Sequence, residues 1–144
     1  MEAFTLAASD GATPIAYRSL PACEVRAIVQ LAHGMAEHVP RYRCLASALN
    51  AAGYAVYGGD HRGHGASASV HGLGDFGEGG FQAVVDDMAV LSAVAKAWAG
   101  EKVHKGQIPA DAADRYVKEL RAEESYFDLV DVYREHIRTT LPAA

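Results

Sequence analysis

The chain has 144 residues, half of them hydrophobic, which suits one domain, or a domain plus a tail, with a buried core, and excludes wholesale disorder. A formal net charge of −5 argues against a nucleic-acid binder, which carries a basic stripe. The two cysteines, Cys23 and Cys44, form no Cys-x-x-Cys pair and no disulfide framework, in keeping with a reducing cytoplasm.

Met1–Thr5 shows no basic segment followed by an apolar one, so no signal peptide is expected. No apolar run approaches membrane-spanning length. The expected location is cytoplasmic, with peripheral membrane contact left open. Phe4–Leu6 and Ile15–Arg18 flank a turn at residues 9–13 and read as a hairpin. Ala27–Ala32 is a short apolar run rich in β-branched residues and reads as a buried strand ending at His33-Gly34.

Pro40 opens a helix in which Tyr42, Leu45, Ala46 and Leu49 recur at helical spacing, and Gly53 ends it. Tyr54–Tyr57 is the next strand, which makes a parallel β-α-β unit. Residues 58–80 form a loop rich in glycine and histidine, and loops of that length are usually functional. Phe81, Val84, Val85, Met88, Leu91, Ala95 and Trp98 then mark one face of a long helix, read as core packing. Near Gly100 the character changes to a polar, turn-like stretch over residues 101–106. Beyond Pro109, Tyr116, Val117 and Leu120 form a weak stripe, and Tyr126, Val130, Tyr133, Ile137 and Leu141 a stronger one. These predict two helices, or one bent near Glu123-Glu124-Ser125, stopped by Pro142.

Two clusters carry the chemistry. The first is His33-Gly34-Met35-Ala36-Glu37-His38, directly after a strand, at the end of an α/β sheet where ligands bind. The second is Asp60-His61-Arg62-Gly63-His64-Gly65-Ala66-Ser67, in the loop after the following strand. Together, at this spacing, they resemble the α/β-hydrolases of the monoacylglycerol lipase and lysophospholipase group, of serine aminopeptidase type. The resemblance covers roughly residues 3 to 99. It implies an α/β fold with the N-terminal half of a hydrolase domain over residues 1–99: a truncated, partial and mostly parallel sheet with flanking helices. Residues 100–144 are read as a helical tail without a recognised relative.

The implied chemistry is serine-dependent hydrolysis of acylglycerol or lysophospholipid-like esters. The backbone N–H of Met35, after Gly34, is by resemblance one oxyanion-hole donor. His33, Glu37, His38, Asp60, His61, Arg62, Gly63, His64 and Gly65 are expected to hold the loops, through hydrogen bonds, charge pairing and tight turns. The implied ligand is a lipid ester or other small ester, and no cofactor is called for.

The Gly-x-Ser-x-Gly elbow of such enzymes is absent from these 144 residues. Gly65-Ala-Ser67-Ala-Ser69 misses it by one residue and sits deep in a loop, so the near match is taken as chance, with Ser67 the first serine to suspect. Ser92 and Ser125 lie in helical patterns, and neither His104 nor His136 matches a catalytic base. Histidines 33, 38, 61, 64 and 71 raise a metal site, but their spacing fits no ligand set and the hydrolase motif absorbs most of them. The expectation is a chain inactive alone. The alternative is a non-catalytic binding or interaction domain on a trimmed hydrolase scaffold. In the family, the strand that leads to the elbow pairs beside the one corresponding to Ala27–Ala32. Its lack leaves an apolar edge open to self-association.

Overall fold

A computed structural model of the protein describes residues 1–8, 10–69 and 72–105. His71, Ser125 and His136, the two tail stripes and the expected helical tail beyond residue 105 lie outside the described residues. Four strands make one sheet in the order β1-β2-β4-β3: β1 Glu2–Thr5, β2 Ile15–Ser19, β3 Ala27–Leu31 and β4 Tyr54–Gly59. The hairpin β1–β2 pairs Glu2 with Arg18 and Thr5 with Ile15, and β2 pairs antiparallel to β4. Strand β3 runs parallel to β4, Ala27 opposite Tyr54 and Leu31 opposite Gly58. The sheet is therefore mixed, with one parallel pairing among three, because the hairpin lies beside β4 and brings two antiparallel ones.

Between β3 and β4 the chain makes a short 3-10 turn over Val39–Tyr42 and the helix α1, Arg43–Ala51. Pro40 fits that first turn, since its fixed φ is already helical and its missing N–H is not needed there. Residues alternate in direction along the strands, so the sheet has two apolar faces. Val29, Leu31, Tyr54 and Val56 meet Leu45, Ala46 and Leu49 of α1 on one face. Ala16, Ile28, Ala55 and Tyr57 meet Leu91, Ala95 and Ala99 on the other, with Phe4 and Trp98 closing around the Tyr57 ring.

The second face is covered by α2, Gly80–His104. It runs past the expected break at Gly100, where the Glu101–Lys105 ion pair, one turn apart, and the Lys105 N–H to Glu101 carbonyl bond continue the last turn. Its buried face also departs from the expected stripe. Val84, Leu91 and Ala95 are buried and Met88 and Trp98 partly so, but Phe81 is 70% and Val85 42% exposed. The sheet explains this. Gln30 of β3 donates to the Met88 carbonyl, and Ser92 donates to Gln30, so that flank of α2 overhangs the edge strand. Beyond β3, no described element covers Phe81 and Val85.

Candidate functional site

Both motif clusters sit at the C-terminal ends of β3 and β4, and Asp60 joins them. Its carboxylate is buried and accepts the Val39 N–H through Oδ1 (2.7 Å) and the Ala66 N–H through Oδ2 (2.8 Å), the latter shared with the Tyr17 hydroxyl at 3.2 Å. One acid thus ties the strand-3 loop, the strand-4 loop and the hairpin. Gly65 makes this possible, since a Cβ there would lie 2.2 Å from Asp60 Oδ2 and the backbone is left-handed at φ +49.

Arg62 serves the same purpose deeper in the loop. It is buried, and its planar fork pairs with Asp87 of α2 through Nε–Oδ2 (2.7 Å) and Nη2–Oδ1 (2.9 Å). Its other side meets Asp10 of the β1–β2 turn, by an Nη1–Oδ2 ion pair and an Nη2–Oδ1 bond of 3.1 Å. The hydrogen bond from Arg62, with the Ala12 N–H, holds the Asp10 carboxyl down to about 2. Gly63 has Asp75 backbone 2.6 Å from where a Cβ would stand, so the loop closes on itself there.

After β3 the chain makes the His33–Glu37 turn, closed by the Glu37 N–H to the Gly34 carbonyl at 3.3 Å. Ala36 is the one non-glycine described residue with positive φ, +59. Glu37 braces the turn: its Oε2 receives the Tyr42 hydroxyl and, at 3.4 Å, the Gly34 N–H, while Arg41 lies 3.6 Å from Oε1. The Tyr42 hydroxyl is the main cause that lowers the Glu37 carboxyl below its ordinary value, against the cost of partial burial. Met35 itself is exposed at 76%, and its N–H has no intrachain acceptor among the described residues. A free N–H at a strand's C-terminal end, on a turn fixed by a carboxylate, is a donor available to an external oxygen.

His33, His61 and His64 meet beneath this turn, His33 lying 4.0 Å from His61 and 5.3 Å from His64 between ring centres. The His61 N–H donates to His33 Nε2 at 2.9 Å, His33 Nδ1 lies 2.8 Å from the Gly34 carbonyl oxygen, and His61 Nε2 lies 3.2 Å from the His33 carbonyl oxygen. His64 bonds the Arg62 carbonyl through Nδ1 and stacks on Phe76. His38 is exposed and lines a groove of about 540 Å³ with Met35, Ala36, Glu37, His64 and Leu73. That volume is in the range of small-molecule sites. Among the described residues no group of three or more His, Cys, Asp or Glu could hold a metal, and no helix is long and apolar enough to cross a membrane.

Ser67, the first serine to suspect, is 3% exposed, and its Oγ accepts the Ile15 N–H at 2.8 Å. It is a strut between the loop and β2. Ser92 donates to Gln30 and to the Met88 carbonyl on α2. The sequence reading did not find Asp10, Tyr17, Tyr42 or Asp87, the partners that fix the motif loops. Asp87 did leave a signal: it is an acid on the buried side of α2, between Val84 and Leu91, where a charge demands a partner.

The sequence model of the serine aminopeptidase S33 family matches residues 23–104, more than half of the chain. A monoacylglycerol lipase of Mycolicibacterium smegmatis is 44% identical over 77 residues, which are 52% of this chain and 25% of that protein. Among solved structures, a highly thermostable carboxyl esterase from Bacillus coagulans, in complex with glycerol, superposes with a TM-score of 0.61 at 27% identity, over 75% of this chain and 34% of the esterase. A lipase in an open form gives a TM-score of 0.58 at 32% identity, over 62% of this chain and 30% of its own. The chain therefore spans about a quarter to a third of the length of these relatives. With the strand order, the two loop clusters and these likenesses together, the chain belongs to the serine aminopeptidase S33 family of α/β-hydrolases.

Proposed function

We propose that these residues are the N-terminal portion of a serine ester hydrolase acting on acylglycerol or lysophospholipid-like esters. The reaction is acyl transfer to a serine and then to water, with the Met35 N–H as one donor to the developing alkoxide. The observation that carries this reading is the free Met35 N–H on a braced turn at the end of β3, beside a groove with apolar lips at Met35 and Leu73. The nucleophile on this reading lies outside the 144 residues, which hold no Gly-x-Ser-x-Gly and in which Ser67 is buried and engaged. On this reading His33, Glu37, His38, Asp60, His61, Arg62, Gly63, His64 and Gly65 build the loops, and the chain by itself turns over no ester.

A second reading rests on a different observation, the uncovered flank of Phe81 and Val85 beside the edge strand β3. Unpaired strand edges next to apolar surface recruit another chain. In that case the scaffold is a binding or self-associating domain without catalysis. A fluorophosphonate probe, a short-chain nitrophenyl ester and sedimentation of the same sample separate the two. The hydrolase reading expects a monomer with no labelled serine, which gains labelling and turnover when the C-terminal portion of the M. smegmatis lipase is added. A stable dimer that gains neither supports the interaction domain, and stoichiometric labelling of the chain alone overturns both.

A further inference from the structure

A backbone N–H can only donate. The His61 N–H points at His33 Nε2 from 2.9 Å, so that nitrogen carries no proton, and the ring's single proton sits on Nδ1 and goes to the Gly34 carbonyl oxygen. His33 is buried at 6% exposure, so water cannot easily replace either partner. We infer that His33 is a proton-sensitive tie: neutral, it joins the Met35 turn to the loop after β4, and protonation at Nε2 parts them. The added proton sets N–H against N–H with no acceptor between.

The charged and titratable groups around the ring are mostly engaged elsewhere. From the loop after β4 it faces His61 and His64, rings that would repel it if they too took protons. Asp60, at the base of that loop, spends its oxygens on Val39, Ala66 and Tyr17. Asp87 of α2, which lines the small cavity beside His61, is held by Arg62. Glu37, on the turn itself, is a carboxylate whose field favours the cation, and its Oε2 is shared between Tyr42 and the Gly34 N–H. Burial, and then His33, hold His61 below the ordinary histidine value. The His61 Nε2 bond to the His33 carbonyl remains after protonation, so the loops loosen without unfolding. What the loosening does to catalysis rests on the hydrolase reading, because it acts on the turn that presents the Met35 N–H.

The test is NMR on the ¹⁵N-labelled full chain between about pH 7.5 and about pH 5.5, spanning the usual histidine range. Long-range ¹H–¹⁵N spectra give the tautomer of each ring, and amide exchange, corrected for its intrinsic pH dependence, gives the protection of the His61 N–H. Expected are an Nδ1–H tautomer for His33 at the upper pH and, as that ring titrates, about a tenfold loss of His61 amide protection. The Gly34–Glu37 shifts move with the same midpoint. An Nε2–H tautomer, a His33 ring that stays neutral across this range, or titration of His33 with His61 protection unchanged, overturns the inference. His33→Gln, whose amide oxygen accepts without titrating, should keep the protection at both pH values. If that variant does not fold, the wild-type tautomer and titration decide alone. None of these readouts uses ester chemistry, so the tie and the hydrolase reading can fail separately.

Discussion

Arg62 and Asp87 form a bidentate pair in which both side chains are buried, at 6% and 9% exposure, and it pins the loop after β4 to the N-terminal third of α2. A buried pair costs most when only one partner is removed, because the survivor keeps its charge without compensation. Here Arg62 keeps the half-exposed Asp10, so Asp87→Ala should destabilise the protein by less than a wholly uncompensated charge would, about 1.5–3 kcal/mol in urea unfolding. Asp10→Ala should lose far less, since its carboxylate is half-exposed and Arg62 keeps Asp87. Equal losses for the two variants would show that the pair with Asp87 is not the principal anchor.

Ser67→Ala removes the acceptor of the Ile15 N–H and leaves a part-buried donor unpaired. The expected loss is about 1–3 kcal/mol in stability. Fluorophosphonate labelling should be the same in variant and wild type. A labelling signal that disappears with Ser67 would make this residue a nucleophile and not a strut.

The Ala36 backbone at φ +59 is a conformation that an L side chain holds at a cost of about 1–2 kcal/mol. Ala36→Gly should raise the melting temperature or leave it unchanged, because relief of strain is partly offset by the freedom glycine brings to the unfolded chain. Ala36→Val should lower it, since branching at Cβ suits this region worst. If valine is tolerated as well as glycine, the turn is not strained in solution.

Tyr57 is fully buried, and its hydroxyl has no hydrogen-bond partner among the described residues. Burial pushes the phenol up to about 12, although the Arg18 charge beside it pulls the other way. Tyr57→Phe keeps the ring against Phe4 and Trp98 and removes an oxygen that water would otherwise solvate. Stability should be unchanged or higher by about 1 kcal/mol. A loss of that size in thermal unfolding would mean that Arg18 bonds the hydroxyl in solution.

Acid should act in two steps. His61 has a folded-state value lowered from 6.5, mainly by burial, so the unfolded chain binds its proton first. Its contribution is complete above about pH 6.5 and is lost as the pH falls through that value toward the folded one. Asp10, lowered from 3.8 to about 2, adds stability that persists above 3.8 and is lost between 3.8 and about 2. Chemical unfolding against pH should show both inflections. His61→Phe should weaken the upper one and Asp10→Asn the lower, to which the lowered Glu2, Glu37 and Glu101 carboxyls also contribute.

The strands, α1 and the placing of both loop clusters were legible in the sequence because each rests on local pattern. Ala27–Leu31 is apolar and β-branched, and Pro40 opens its turn where the ring fits. The brace of the site was not legible. Asp10 and Arg62 are 52 residues apart, and Tyr17 and Asp60 are 43 apart, and no periodicity announces such pairs. The faces of α2 were misjudged for a related reason. Helical spacing says which residues share a side, but whether Phe81 and Val85 are covered depends on where the sheet ends.

The N-terminal hairpin contains none of the motif residues and lies before the stretch that the family's sequence model matches, yet Asp10, Ile15 and Tyr17 each hold the loop after β4. Recognition by sequence and integrity in space thus have different boundaries. A fragment cut at residue 23 would still be identified as a member of the family, while the loop of Asp60 and Arg62 would have lost three of its anchors and its surface would open to water. Any dissection of this domain, by proteolysis, by gene design or by fusion to another chain, should treat the first twenty residues as inseparable from the site.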